Sequence, residues 1–173
     1  MDVVAQIFST ASTYGVDPRI ALEIALRESG ANPNAPDGAA GEIGIFQVEP
    51  ATGAGLGFSL AQLRDPVQNI NAGIMYLSQM FSQFGDPSLA IAAYNDGPGN
   101  ISSAYSTYGA DWFSHIPAST QGYVTTVLGN ANNDYTAAVG GPGATAAIGG
   151  ISASTLVWVI GAAIFAYLAF GDS

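Results

Sequence analysis

The chain has no cysteine, no lysine and a single histidine, His115, in 173 residues. The missing cysteines exclude disulfides and thiolate metal ligands, and one imidazole is too few for a zinc-cluster mechanism, so neither metal nor cofactor is expected. Such a fold holds by packing alone. Positive charge is also scarce: three arginines, Arg19, Arg27 and Arg64, stand against 13 acidic residues, for a formal net charge of −10. That balance repels nucleic acid and anionic lipid headgroups, so a nucleic-acid partner is not expected. Nor does any segment sustain the apolar–polar alternation of a strand.

Short helical patterns punctuated by Gly, Pro and Asn are present instead, and the expected fold class is mainly α. Helices are expected over residues 3–14, 18–28, 50–54, 59–63, 66–84, 87–95, 97–106 and 117–130. Three of them open alike, with Asp17-Pro18, Asp65-Pro66 and Asp86-Pro87 offering an N-cap carboxylate and then a proline at the first helical position. The expected organisation is a helical domain over 1–135, a flexible Gly/Ala-rich linker over 136–150, one C-terminal transmembrane helix over 151–170 and a short tail over 171–173. Residues 151–170 carry no charge and are long enough to span a hydrocarbon core of about 30 Å, with Trp158 and Tyr167 suited to the interfaces. A lipid membrane is therefore an expected partner through this segment. At the other end Met1-Asp2-Val3-Val4 shows no basic n-region and no cleavage site, so an ordinary secretory signal is not expected.

The residue with the clearest chemical implication is Glu28. At about 100° per residue it falls beside Ala21 and Ile24 in the apolar arc of its helix, while Glu23 and Arg27 share a polar strip and are expected to pair. A carboxylate leaving water near a helix C-terminus meets both desolvation and the negative end of the dipole, and both favour its protonated form. That suits a general acid.

Four ordered segments accompany Glu28. They are Glu28-Ser29-Gly30 with Asn32-Pro33-Asn34-Ala35; Gly41-Glu42-Ile43-Gly44-Ile45-Phe46-Gln47 with Pro50-Ala51-Thr52; Ala92-Ala93-Tyr94-Asn95-Asp96-Gly97-Pro98-Gly99; and Ile116-Pro117 with Tyr123-Val124. Between the second and third, Asn69-Ile70-Asn71-Ala72-Gly73 begins a long central helix. Together the set resembles the lytic transglycosylase domain of the lysozyme-like superfamily, related to goose-type lysozyme, over about residues 3–130. The resemblance implies a lysozyme-like helical domain whose partner is bacterial peptidoglycan and whose single catalytic glutamate is Glu28. It cuts the bond between N-acetylmuramic acid and N-acetylglucosamine and leaves 1,6-anhydromuramoyl ends.

The same resemblance implies substrate-binding roles for Ser29, Gln47, Tyr94, Asn95 and Tyr123. Gln47 offers donor and acceptor to an N-acetyl amide, Ser29 sits near the acetamido group, Tyr94 and Asn95 face the cleft from a helix end, and Tyr123 approaches Glu28. Helix capping accounts equally for Ser29, core packing for Tyr94 and Tyr123, and plain surface polarity for Gln47. The sequence departs from the family pattern at Glu42 and Asp96, where small residues are common. Either is a candidate second acid, which keeps a hydrolytic lysozyme open beside the transglycosylase, as a non-catalytic peptidoglycan-binding module also stays open. A wall-cutting domain with a C-terminal anchor and no export signal looks like the wall-degrading membrane proteins of tailless bacteriophages. The expected location is thus a virion internal membrane, beside other virion membrane or capsid proteins, with a bacterial cell membrane as the alternative.

Overall fold

In the computed structural model, residues 1–138 are described, with side chains through residue 132. Eight α-helices follow in order: α1 (Val3–Thr13), α2 (Pro18–Ser29), α3 (Pro50–Gly55), α4 (Leu60–Leu63), α5 (Pro66–Phe84), α6 (Pro87–Asp96), α7 (Pro98–Tyr108) and α8 (Ala118–Ala138), with a 3₁₀ helix, Gly109–His115, between the last two. The described residues contain no strand, so the domain is mainly helical as expected. The 3₁₀ helix was not foreseen, and α8 runs on past the expected limit at 130 to Ala138, into the start of the expected linker. The rest of that linker, the expected membrane span and the tail lie outside the described residues. Among the described residues no helix is long and apolar enough to cross a membrane.

Local chemistry sets the helix starts. The Asp17 side chain accepts from the Arg19 amide at 2.9 Å, Asp65 from Gln68 at 2.9 Å and Asp86 from Ser88 at 2.8 Å, each with proline opening the helix behind it. Such a cap contributes about 1 kcal/mol. Gly30 and Gly85 stop α2 and α5 in the left-handed region, at φ 67° and 70°.

α5 runs through the middle of the domain, packing against α1, α4 and α6. Its Ile70, Ile74 and Leu77 are fully buried at helical spacing. α6 buries Leu89, Ala90, Ile91, Ala92 and Ala93 in succession, so it is enclosed nearly all round, and its alanines allow close approach. The long connection between α2 and α3 has no helix, yet it contributes Ile43, Ile45, Phe46 and Val48 to the core. It closes on itself through paired amide bonds between Ile43 and Val48, each 3.0 Å, around a turn in which the Gln47 amide donates to the Gly44 carbonyl at 3.1 Å.

Asn69, on the first turn of α5 and fully buried, holds this turn. Its Oδ1 accepts from the Phe46 amide at 2.9 Å, and its Nδ2 donates to the carbonyls of Ile43 at 2.8 Å and Leu63 at 2.9 Å. One turn further along α5, Phe46 lies against bare backbone: a Cβ at Gly73 would come within 2.3 Å of the Phe46 Cβ. Asn69→Ala leaves one buried donor and two carbonyls without their partner and is expected to cost about 3 kcal/mol or more, at roughly 1 kcal/mol or above per orphaned group. Asn71→Ala, which gives up a single bond to the Val67 carbonyl, is expected to cost less than about 1 kcal/mol. Urea unfolding followed by far-UV circular dichroism separates the two, and equal midpoint shifts would show that Asn69 does not hold the turn.

Candidate active site

Glu28 stands in the last turn of α2, half-buried. The hydroxyl of Tyr123, from α8, donates to its Oε1 at 2.6 Å, the short distance of a phenol bonded to a carboxylate. The Arg27 guanidinium lies over the ring of the same tyrosine, 5.1 Å from its centroid. The pairing of Glu23 with Arg27 expected from their spacing is therefore replaced. Glu23 is buried and its Oε2 accepts from Asn130 Nδ2 at 2.8 Å, while Arg27 turns to the Tyr123 ring. The physical reason is tertiary: α8 brings a partner for each of them, and an exposed ion pair between helix neighbours adds only a few tenths of a kcal/mol in competition.

Burial pushes the Glu28 carboxyl above the ordinary value of 4.5; the Tyr123 hydrogen bond and then the Arg27 charge pull the other way, and the Glu42 charge adds to the rise. Desolvation outweighs the rest, in line with the position of Glu28 on the apolar arc. The Tyr123 phenol is itself pushed far up, by burial first and by the Glu28 charge second, so it is a neutral donor. Tyr94 is raised for the same two reasons in the same order.

The turn closed by Ile43 and Val48 is tied to this pair from several sides. Ser29, next to Glu28, donates from Oγ to the Ile45 carbonyl at 2.8 Å and accepts from the Asn32 amide at 3.2 Å, so it fastens the end of α2 to the turn as well as capping. Tyr94, near the end of α6, donates from its hydroxyl to the Phe46 carbonyl at 2.9 Å, and its ring meets Tyr76 at 5.3 Å between centroids, tilted by 50°. Gln47 adopts φ 44°, a left-handed conformation costing a non-glycine residue about 1 kcal/mol or more. Its side-chain Nε2 donates to the Gly44 carbonyl at 2.8 Å, and its Oε1 would lie 2.8 Å from a Cβ at Gly38.

Ser29, Gln47, Tyr94 and Tyr123 are thus joined to Glu28 or to the turn beside it. Asn95 is exposed at the end of α6. Of the two departures from the family pattern, Glu42 accepts from the Ala40 amide at 3.0 Å and lies over Gly38, within electrostatic reach of Glu28. Asp96 faces a different groove, beside α7. Sequence reasoning assigned no role to Asn69 or Tyr76. The available signal for Asn69 was an amide on the apolar stripe of α5, one residue before Ile70. Among the described residues no group of three or more His, Cys, Asp or Glu is placed to hold a metal ion.

The chain is 38% identical over 123 residues to the soluble lytic murein transglycosylase of Escherichia coli K12, covering 62% of this chain and 19% of that protein. It is 36% identical over 112 residues to the membrane-bound lytic murein transglycosylase C of Haemophilus influenzae, covering 55% and 31%. Its fold is similar to the crystal structure of an inactive Glu-to-Gln mutant of lytic transglycosylase Slt from Pseudomonas aeruginosa, with a TM-score of 0.68 and 28% identity over 86% of this chain and 26% of that one. The chain spans less than a third of the length of each of these proteins. Residues 5–116, which include Glu28, Gln47 and Tyr94, match the Transglycosylase SLT domain, and the chain belongs to that family.

Proposed function

We propose that the chain is a peptidoglycan lytic transglycosylase with Glu28 as its single acid and base. The observation that carries this reading is a half-buried carboxyl with a raised pKa, held at 2.6 Å by a neutral phenol and set beside a turn fixed by buried hydrogen bonds. A glycosidic oxygen leaves only when protonated, and a carboxyl that keeps its proton at higher pH than usual can supply it. Glu28 protonates the oxygen between N-acetylmuramic acid and N-acetylglucosamine, the C1–O bond breaks, and the muramoyl acetamido oxygen stabilises the positive centre at C1. The muramoyl C6 hydroxyl then attacks C1 while the Glu28 carboxylate takes its proton. The 1,6-anhydro ring closes without water and Glu28 regains its starting state. Tyr123 orients the Glu28 carboxyl, and Ser29, Gln47, Tyr94 and Asn95 are the residues assigned to the saccharide.

Glu42 supports a second outcome. Its charge reaches Glu28, and a second carboxylate able to hold water would divert the intermediate to hydrolysis, as in a lysozyme. Product analysis decides between them. Peptidoglycan digested by the wild type is expected to yield anhydromuramoyl ends by mass spectrometry, with Glu28→Gln slowing their release by about 10²-fold or more. Reducing ends in their place would identify a hydrolase, and no products from a folded wild-type protein would leave a binding module.

The rate is expected to fall as pH rises through the Glu28 pKa, because the first step needs the protonated acid. Tyr123→Phe removes a hydrogen bond that lowers that pKa, so the alkaline limb of the pH–rate profile is expected to move to higher pH. An unmoved limb with a lower plateau would mean that Tyr123 acts by packing alone.

The proposal extends to location. The uncharged run over 151–170 supports a membrane-held enzyme, and the arrangement resembles the wall-degrading membrane proteins of tailless bacteriophages, in which local wall cleavage opens a path for genome delivery. Deleting 151–173 is expected to release the protein from the membrane pellet while leaving wall cleavage intact. Recovery of the protein only from membranes of uninfected bacteria would exclude the virion.

A further inference from the structure

A second concave surface lies away from the Glu28–Tyr123 pair. It is an open groove of about 360 Å³ between the end of α6, one side of α7 and the segment leading into α8, with Asp96, Asn100, Thr107, Tyr108, His115 and Pro117 on its walls. Tyr108 and His115 stack in parallel, 3.7 Å between centroids and 7° between planes, making a flat wall. The polar groups opposite offer acceptors. Asn100 spends an Nδ2 hydrogen on the Asp96 backbone carbonyl at 2.7 Å, and Thr107 spends its hydroxyl hydrogen on the Ser103 carbonyl at 2.8 Å, which leaves their oxygens as acceptors. Among the described residues the half-buried Asp96 carboxylate accepts no hydrogen bond and meets no cation. All three arginines are engaged elsewhere: Arg19 with Asp17, Arg64 with Asp37 and Arg27 over Tyr123.

Free acceptors beside an unpaired carboxylate complement a group that donates hydrogen bonds and carries positive charge. A neutral sugar would desolvate Asp96 without neutralising it, whereas a primary ammonium brings three donors and a compensating charge. We propose that this groove binds the side-chain ammonium of a diamino acid in the wall's stem peptide, with Asp96 as its counter-ion and the Tyr108–His115 wall against its methylenes. The inference rests on the reading of the chain as a peptidoglycan-cleaving enzyme. Asp96, where small residues are common in the family, gives this chain a preference for walls with a free amine.

The test measures binding to the full chain of two Nα-acetylated Ala–γ-Glu–Lys tripeptides, one with a free lysine amine and one Nε-acetylated, by isothermal titration calorimetry. The free amine is expected to bind at least about tenfold tighter, Asp96→Asn to erase the difference and Asp96→Glu to keep it. In parallel, wild type is expected to digest intact wall with a several-fold higher kcat/KM than wall whose amines have been acetylated, and Asp96→Asn to lose that preference. Equal binding of the two peptides by wild type, or a preference that survives in Asp96→Asn, overturns the inference. Amine-selective binding without digestion of either wall would sink the transglycosylase reading while supporting the groove; digestion of both walls at equal rates would do the reverse.

Discussion

The site depends on one buried amide. Asn69 uses two hydrogen bonds to hold a turn that has no sheet or helix of its own and a third to tie it to the end of α4, and that turn is the surface against which the rest of the site is assembled. Ser29 reaches it from α2 through the Ile45 carbonyl and Tyr94 from α6 through the Phe46 carbonyl, so three helices fasten to consecutive peptide groups of a single loop. Each bond satisfies a carbonyl or amide that burial would otherwise strand. A polar network of this kind is stabilising only when it is complete, and among the described residues no buried side-chain polar atom lacks a partner.

Glu28 is poised by opposition. Burial alone would drive its carboxyl further up, where it would hold its proton and give it up less readily, while full exposure would leave it ionised before a substrate arrived. Tyr123 and Arg27 hold the rise in check, and both act from the same place, since the guanidinium rests on the ring whose hydroxyl bonds the carboxyl. The phenol serves this purpose because its own proton is held so firmly that it remains a donor throughout. An acid proposed to alternate between two protonation states needs such a balance more than a pair of carboxylates with divided duties.

What the sequence made legible followed from local chemistry. The Asp-Pro starts and glycine stops gave α2, α5 and α6 nearly to the residue, because a cap is satisfied within its own first turn. The apolar-arc position of Glu28 likewise implied desolvation. Less was legible where partners come from afar. The i, i+4 spacing of Glu23 and Arg27 suggested a pair that α8 dissolves from more than a hundred positions away. The bridge between Ile43 and Val48 is too short to show as alternation, and the 3₁₀ helix at Gly109–His115 lacks a periodic apolar stripe. Asn69 was visible only as an oddity. Its meaning appeared once Phe46 and Ile43 were brought to it across a loop whose path propensities do not encode.

The contact of Phe46 with the bare backbone at Gly73 works as an index mark. Asn69 and Gly73 stand four positions apart on one face of α5, the first a pin for the turn and the second a notch for its aromatic ring. The loop can therefore dock in one register only. A slip of a single residue along α5 would set Phe46 against the side chain of Ala72 or Ile74 and pull its amide from Asn69 in the same movement. Inserting or deleting one residue between pin and notch would then dismantle the cleft outright, so lineages that vary freely in the loops around α5 should hold this four-residue spacing fixed.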